Sequence, residues 1–328
     1  MSCVKQRRES PAPDLGGFAL IIASAFCYSM LPIFGKFALA LGLPLLPLLA
    51  TRFVIAAIVL WVWVLAAREY RQALFRVPRR HASALLVWGV AGYAGQSALF
   101  FLALQRIPAG LTEVLLYTCP AFLALILWGM TRRPPQTSRL AAIALAMIGT
   151  WLCAGRISGA ADAAGAALAI LSGLWYAAFL IWMHRLTPGI PGAVSGAYII
   201  TGAAFAFSAA SLLHGGGFLW PRSAAEWGSL AGIVLSSTVF GFVLFVAGLK
   251  RVGPQVASVL STFEPLGTLL LATLLLDERL AGAQWTGAAL VIGAAFVLAS
   301  TGPAEEDRIG PADAPLPALP QAGGGALE

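Results

Sequence analysis

Four ionisable side chains of this sequence fall inside long apolar stretches, where a charge is costly. They are Lys36, Arg52, Glu113 and Glu264. At the centre of a membrane-spanning helix each would cost about 2.5–3.5 kcal/mol on insertion scales, so such residues usually have a function. We interpret the four as candidates for gating or for energy coupling.

Glu264 has the most unusual surroundings of the four, because Pro265 follows it directly. The proline removes a backbone donor and leaves a carbonyl one turn earlier free to accept another bond. A carboxylate at such a break could bind an amine or a proton, and the alternative is a hydrogen-bonded lock between two helices. Thr262 precedes Glu264 by two residues, about 200° around a helix, so the two would not face one cavity together.

Polar and aromatic residues at helical spacing suggest the wall of a pocket. Ser24 and Tyr28 are four residues apart, and the pair recurs as Ser172 and Tyr176, which places each pair on one helix face. Such side chains could stack on an apolar substrate while their polar ends orient it. Ordinary helix packing is the alternative for each of them. The predicted wall comprises Tyr28, Tyr93, Gln96, Tyr117, Trp175, Tyr176 and Thr262.

The elements that would position these residues are membrane-spanning helices. The chain has 328 residues, of which 59% are hydrophobic and 11% charged, and its mean hydropathy is +0.84. Soluble domains carry roughly 25% charged residues, and a spanning helix needs about 20 apolar ones. Ten such runs lie near Gly17–Leu41, Leu48–Ala67, Ala82–Leu104, Ile107–Met130, Arg139–Gly155, Ala164–Trp182, Ala193–Leu213, Ala225–Leu249, Gly253–Leu276 and Gln284–Ser300.

An internal repeat divides these ten runs into two sets of five. Five residues of the first half recur 145 positions later in the same register. The pairs are Leu104 and Leu249, Arg106 and Arg251, Val114 and Val259, Leu115 and Leu260, and Pro120 and Pro265. Because five is odd, the second copy enters the membrane inverted. The sequence therefore predicts an all-α integral membrane protein with ten transmembrane helices in two inverted five-helix repeats, an arrangement typical of secondary transporters.

Basic residues between the runs predict the orientation. One side of the membrane would carry fifteen Lys and Arg residues and the other only four, Arg106, Arg156, Arg222 and Arg279. The positive-inside rule therefore places both termini in the cytoplasm. In this topology Lys36, Arg52 and Glu113 lie in the outer third of the membrane, where we expect an ion pair or an outer gate. Snorkelling of the two cations to the interface is the alternative.

The predicted organisation is a cytoplasmic tail (1–16), a first repeat (17–155), a second repeat (156–301) and a disordered cytoplasmic tail (302–328). No Cys or His pair has ligand spacing, so we expect neither a metal nor another cofactor. The absence of a Walker motif excludes direct drive by ATP. The topology accounts for the net charge of +7, so no nucleic-acid partner is expected.

Two segments also carry a family resemblance. The second-half stretch LKRVGPQVASVLSTFEPLGTLLLATLLLDERL combines a Gly-Pro entry, a mid-helix Glu-Pro pair and an acidic-basic exit. It resembles drug/metabolite transporters of the EamA type, and the resemblance extends from Gly17 to Ser300. The first-half counterpart departs from this pattern, with Cys119 in place of Glu264 and Thr131-Arg132-Arg133 in place of the acidic exit.

The resemblance implies a non-enzymatic transporter of the bacterial inner membrane, either a monomer or a weak dimer surrounded by lipid. Its central cavity would lie among helices one to four and six to nine, with helices five and ten at the periphery. Some bacterial members export aromatic and other amino acids, so we expect amino-acid export by alternating access. We favour uniport, since we expect no deep acid besides Glu264. Proton-coupled efflux of drugs or toxic cations is the main alternative, and a membrane-embedded enzyme or receptor is a remote one.

Overall fold

The computed structural model describes residues 15–132, 137–154, 160–187, 189–279 and 281–300. Every secondary-structure element in these ranges is a helix, and none is a strand. The first half comprises α1 (Leu15–Ala40), α2 (Leu45–Ala66), α3 (Arg68–Leu74), α4 (Arg79–Trp88), π1 (Gly89–Tyr93), α5 (Ala94–Leu104), α6 (Ala109–Leu116), α7 (Cys119–Thr131) and α8 (Thr137–Ala154). The second half comprises α9 (Ala160–Leu186), α10 (Gly192–Leu213), α11 (Ala224–Gly232), π2 (Ile233–Phe240), α12 (Gly241–Ser261), α13 (Phe263–Leu275) and α14 (Gly282–Ser300).

Seven helical stretches are long and apolar enough to cross a membrane. Three shorter apolar helices lie at Leu140–Leu152, Phe263–Leu275 and Gly282–Val297. The prediction of an all-α integral membrane protein is confirmed, whereas the count of ten spans remains a prediction. The predicted tails, residues 1–16 and 302–328, lie outside the described residues except for Leu15 and Gly16, which belong to α1.

Two long helices contain a π-helical segment. The first, π1, connects α4 to α5, and the second, π2, connects α11 to α12. Tyr93 ends π1, and the residue 145 positions later, Thr238, lies in π2. A π segment interrupts the regular helical hydrogen bonding, and such segments occur frequently at functional sites. The two interruptions therefore mark corresponding places in the two halves.

Two other predicted helices are broken near their prolines. The chain leaves helical hydrogen bonding at Tyr117 and Thr118 between α6 and α7, and at Thr262 between α12 and α13. Pro120 and Pro265 follow within the first turn of α7 and α13, where a missing amide hydrogen does no harm. The predicted runs Ile107–Met130 and Gly253–Leu276 are thus each divided in two.

The boundary that we predicted between the eighth and ninth runs, around Lys250–Val252, lies within α12. None of these three residues is a helix breaker, which explains why the helical assignment continues. Contacts of Phe34 with Gly232 and of Ile21 with Gly248 show that the stretch from α11 into α12 runs antiparallel to α1. Gly267 of α13 contacts Ser29, which also belongs to α1.

Glycine allows a close approach of π1 to α10. A Cβ atom at Gly89 would lie 2.3 Å from the Ile199 carbonyl oxygen, and one at Gly202 would lie 2.2 Å from the Leu86 carbonyl oxygen. Small residues permit such backbone contact between membrane helices. The α4–π1–α5 rod is thereby held against α10, and this contact fixes the position of Tyr93.

Candidate functional site

A cavity with aromatic walls lies between helices of the two halves. Its volume is about 150 Å³, a size that in other proteins holds a benzene molecule. The lining residues are Tyr28, Leu60, Tyr93, Phe179, Gly196, Ile199, Ile200, Ser237, Thr238 and Phe242. Two of them, Tyr28 and Tyr93, belong to the pocket wall predicted from the sequence.

Matching hydrogen bonds fix the helices on both sides of this cavity. The Ser24 hydroxyl donates to the Gly241 carbonyl at 2.7 Å, joining α1 to α12. The Ser172 hydroxyl donates to the Gln96 carbonyl at 3.2 Å, joining α9 to α5. Gly241 follows Gln96 by the repeat distance of 145 residues, and Ser172 follows Ser24 by nearly the same distance. The helix pairs α1–α12 and α9–α5 therefore use the same contact.

Gln96 is buried and does not line the cavity. Its side-chain amide donates to the Ser172 hydroxyl at 3.2 Å, and its side chain is 9% exposed. A buried amide bonded in this way positions α5 against α9. These contacts give Gln96 a packing role between α5 and α9, and its role in the substrate-binding wall stays a prediction.

Aromatic rings connect the tyrosines of the predicted wall. Tyr93 contacts Phe53 and Phe179 with centroid separations of 5.8 Å and 5.9 Å. Tyr176 stacks on Phe179 at 6.2 Å. Tyr28 and Tyr93 line the cavity, and Tyr176 joins them through Phe179, which lines it as well. The three tyrosines thus belong to one aromatic cluster around the cavity.

The two helix breaks are joined by a hydrogen bond between their side chains. The Tyr117 hydroxyl, at the end of α6, lies 2.9 Å from a Glu264 carboxylate oxygen and 2.9 Å from the Ser261 carbonyl oxygen. Both acceptors belong to the break between α12 and α13. Glu264 therefore has a partner from the other half of the chain, as expected of either a binding site or a helix lock.

Glu113 lies near Glu264, which corrects two expectations. We placed Glu113 in an outer cluster with Lys36 and Arg52, and we expected Glu264 to be the lone deep carboxylate. Glu113 is 2% exposed, its Oε1 atom has no hydrogen-bond partner, and it interacts electrostatically with Glu264. The two acids are connected through Tyr117, which follows Glu113 by four residues and whose hydroxyl bonds the Glu264 carboxylate at 2.9 Å.

Arg52 forms no ion pair among the described residues, so the predicted pairing with Glu113 is wrong. Its side chain is 3% exposed, and its Nε and Nη1 atoms lack hydrogen-bond partners. The guanidinium instead lies 4.8 Å from the Phe53 ring centroid and 5.5 Å from that of Phe101. These cation–π contacts leave in-plane N–H donors unsatisfied.

Lys36 is half-buried and lies in the electrostatic range of Glu278 rather than of Glu113. The Glu278 carboxylate accepts hydrogen bonds from the Ala109 and Gly110 amides at 2.6 Å and 3.1 Å. It therefore caps α6 from the far end of α13, as a carboxylate at a helix N-terminus does. The acidic residues at the end of the second-half segment were a signal for this capping role, which we did not predict from the sequence.

Trp175 and Thr262 are not among the residues that line the cavity. The Trp175 indole N–H lies 3.2 Å from the Ala91 carbonyl oxygen and 3.1 Å from that of Gly92, so it ties α9 to π1. Thr262 is 6% exposed at the break before α13. Sequence reasoning missed the hydroxyls of Ser237 and Thr238. The repeat offered a signal for them, because Thr238 is the counterpart of Tyr93.

The geometry defines a helical membrane protein whose small, aromatic cavity is enclosed by both halves of the chain. Comparison with known proteins shows its class. The profile of the EamA-like transporter family matches residues 15–155 and again residues 163–300. The chain belongs to this family.

Individual relatives are more distant. The chain is 30% identical over 200 residues to the uncharacterized transporter YcbK of Bacillus subtilis, covering 58% of this chain and 63% of that protein. It is 29% identical over 215 residues to the threonine/homoserine exporter RhtA of Salmonella typhimurium, covering 65% of this chain and 69% of RhtA. A crystal structure of another protein, 20% identical, matches with a TM-score of 0.60 over 86% of this chain and 95% of the other. That similarity supports the fold alone.

Proposed function

We propose that this protein is a secondary transporter that exports amino acids across the bacterial inner membrane by alternating access. The observation that carries the proposal is the cavity of about 150 Å³, whose lining residues come from both segments that match the family profile. A site between two similar halves can open to either side in turn.

The proposed architecture is ten spans in two inverted repeats, with both termini in the cytoplasm. What supports it is the correspondence of local features at or near the 145-residue offset. These features are the two π segments, the two breaks, the Ser24 and Ser172 hydrogen bonds, and two left-handed residues, Arg132 (φ 55°) and Asp277 (φ 51°). Unrelated segments would not repeat so many irregularities in the same order.

The proposed substrate class is a small amino acid. The cavity volume suits a molecule of that size, and its wall offers aromatic and aliphatic surface with the hydroxyls of Tyr28, Tyr93, Ser237 and Thr238. RhtA, a relative, is a threonine/homoserine exporter. A mainly apolar pocket with a few polar groups is typical of small-molecule sites.

The test is counterflow in proteoliposomes that contain the purified full-length protein. Vesicles preloaded with L-threonine, L-homoserine or L-phenylalanine receive a trace of the same labelled compound outside. We expect transient accumulation of at least one of the three. A matched pair of variants ties this activity to the cavity. Thr238→Val, which keeps the shape but removes a lining hydroxyl, should weaken counterflow, whereas Thr273→Val, on an exposed face of α13, should not. Absence of counterflow with all three compounds would refute amino-acid transport.

A second candidate function is proton-coupled efflux of drugs or toxic cations, and the observation that favours it is the proximity of Glu113 to Glu264. Two neighbouring buried carboxylates can share or exchange a proton. An imposed pH gradient distinguishes the candidates. It would drive accumulation of a labelled organic cation such as tetraphenylphosphonium if this function holds, and it would leave a uniporter of amino acids unaffected.

A further inference from the structure

Arg52 and the two buried glutamates present charges of opposite sign towards the same pair of tyrosines. We propose that they form a zwitterion site in which Arg52 binds the carboxylate of the substrate and the Glu113–Glu264 pair binds its ammonium group. This inference rests on the proposed function and names the chemistry by which an amino acid would be recognised.

The first step is that the buried guanidinium of Arg52 lacks hydrogen-bond partners. A guanidinium remains charged in proteins and has five N–H donors. Arg52 is 3% exposed, and its Nε and Nη1 atoms have no partner. The rings of Phe53 and Phe101 contact the guanidinium but cannot accept its in-plane hydrogen bonds. A buried charge of this kind is normally paired, and a carboxylate matches the guanidinium fork with two bonds.

The second step is the position of the unpaired guanidinium. The Arg52 guanidinium lies 4.8 Å from the Phe53 ring centroid, and that ring contacts Tyr93, a residue of the cavity wall, with a centroid separation of 5.8 Å. An anion that reached Arg52 would therefore lie beside the proposed substrate cavity. Nothing else on α2 supplies a charge there, since the described part of that helix contains no other ionisable residue.

The third step is the acidic side of the same tyrosines. Glu264 lies one helical turn before Thr268, whose hydroxyl donates to the carbonyl of Ser29, the neighbour of Tyr28, at 3.3 Å. Glu113 adds a carboxylate oxygen that is buried and has no hydrogen-bond partner. An ammonium group has three donors and could satisfy both carboxylates at once.

The signs of the charges select the ligand. An anionic substrate would meet Arg52 favourably but would be repelled by the glutamate pair, which carries one negative charge when its two carboxylates share a proton. A cation would be attracted by the glutamates and repelled by Arg52. The described structure shows no ion pair of Arg52 with either acid, so both kinds of charge remain available to a ligand that carries both. The α-amino acids have this property.

The first experiment uses the unmodified protein. Counterflow of labelled L-threonine and L-phenylalanine in proteoliposomes is measured against amino alcohols, which keep the ammonium but lack the carboxylate, and against 2-hydroxy acids, which keep only the carboxylate. The three compounds added as unlabelled competitors are threoninol, phenylalaninol and phenyllactate. We expect each analogue to compete about tenfold or more weakly than the parent amino acid, as loss of one charged hydrogen-bonded contact implies. Equal competition by the amino alcohols would overturn the role of Arg52, and equal competition by phenyllactate would overturn that of the glutamates.

The second experiment replaces Arg52 and separates binding from folding. Arg52→Met keeps an unbranched side chain that can pack on the two phenylalanine rings. We expect counterflow of the amino acid to fall about tenfold or more, to the level of the amino alcohol, while the melting temperature in detergent stays the same or rises. The melting temperature should not fall, because the substitution removes an unpaired buried charge. Arg106→Met, on an exposed arginine, is the matched control and should leave counterflow unchanged.

The outcomes separate this inference from the proposed function. If none of L-threonine, L-homoserine and L-phenylalanine supports counterflow in the unmodified protein, the proposed function fails and the inference fails with it. If amino acids are transported but Arg52→Met keeps the preference over amino alcohols, only the inference fails. If Arg52→Met lowers the melting temperature markedly or does not fold, the competition experiment on the unmodified protein decides the matter.

Discussion

Glu278 offers a sharp test of how the two halves are held together, because one side chain caps a helix of the other half. Its two carboxylate oxygens accept hydrogen bonds from the Ala109 and Gly110 amides at 2.6 Å and 3.1 Å. These amides begin α6, the short helix that carries Glu113. Replacing Glu278 by Ala should therefore loosen α6 and lower the stability of the folded protein.

The magnitude follows from the contacts. Loss of an N-cap side chain costs about 0.5–2 kcal/mol, and a hydrogen bond to a charged group contributes about 1.5–3 kcal/mol. Glu278 is partly exposed, so water replaces some of the lost interaction, and we expect about 1–2 kcal/mol for Glu278→Ala. At about 2–4 °C per kcal/mol this corresponds to a fall of about 2–8 °C in melting temperature. Glu278→Gln keeps one acceptor oxygen and should lose about half as much.

The assay is thermal unfolding of the purified protein in detergent, followed by tryptophan fluorescence. The neighbouring acid supplies a matched control. The Asp277 side chain is 87% exposed, and its carboxylate lies 3.7 Å from the guanidinium of the equally exposed Arg279. Asp277→Asn also tolerates the left-handed backbone at this position, and it should change stability by less than about 0.5 kcal/mol. Equal effects of Glu278→Ala and Asp277→Asn would refute the capping argument.

Three further predictions address packing, topology and coupling. Gly202→Ala should destabilise the protein by about 1–3 kcal/mol, because its Cβ would meet the α4 backbone; Gly228→Ala, which meets nothing within 4 Å, should be tolerated in the same unfolding assay. Single cysteines introduced into a cysteine-free background should react with an external, membrane-impermeant maleimide at position 158 but not at position 138 (both are serine in the sequence), and the reverse pattern would show that the topology is wrong. Glu264→Gln should weaken counterflow without changing the response to an imposed pH gradient. If the gradient instead drives accumulation in the unmodified protein and not in the variant, Glu264 is the proton site.

The helical membrane fold was predictable because hydropathy alone determines it. Apolar runs of about 20 residues have few alternatives to a spanning helix, since the backbone must satisfy its own hydrogen bonds in lipid. The positions of the two helix breaks were also signalled, by Pro120 and Pro265. The π segments were not predictable, because no residue type in Gly89–Tyr93 or Ile233–Phe240 requires a π turn.

The candidate site was predictable only in part, because helical spacing gives the face of a residue but not its neighbours. Tyr28 and Tyr93 line the cavity, as a shared polar face suggested. Glu113 was placed too far from Glu264, because a straight helix was assumed where α6 in fact breaks after eight residues. The Arg52–Glu113 pair failed for the same reason. Depth along a regular helix is a poor guide once the helix is interrupted.

The differences between the halves carry as much information as the matches. Cys119 is the counterpart of Glu264, so only the second break carries an acid. Arg133 is the counterpart of Glu278, and a guanidinium cannot accept hydrogen bonds from helix amides. The inverted equivalent of the Glu278 cap is therefore chemically unavailable at the start of the ninth predicted helix. If the two repeats are inverted, as we propose, the cap that holds α6 has no equivalent on the opposite side of the membrane, and the two ends of the cavity should differ in how easily they open. The side held by Glu278 should be the harder one to open, and weakening the cap should shift the protein towards the state in which that side is open.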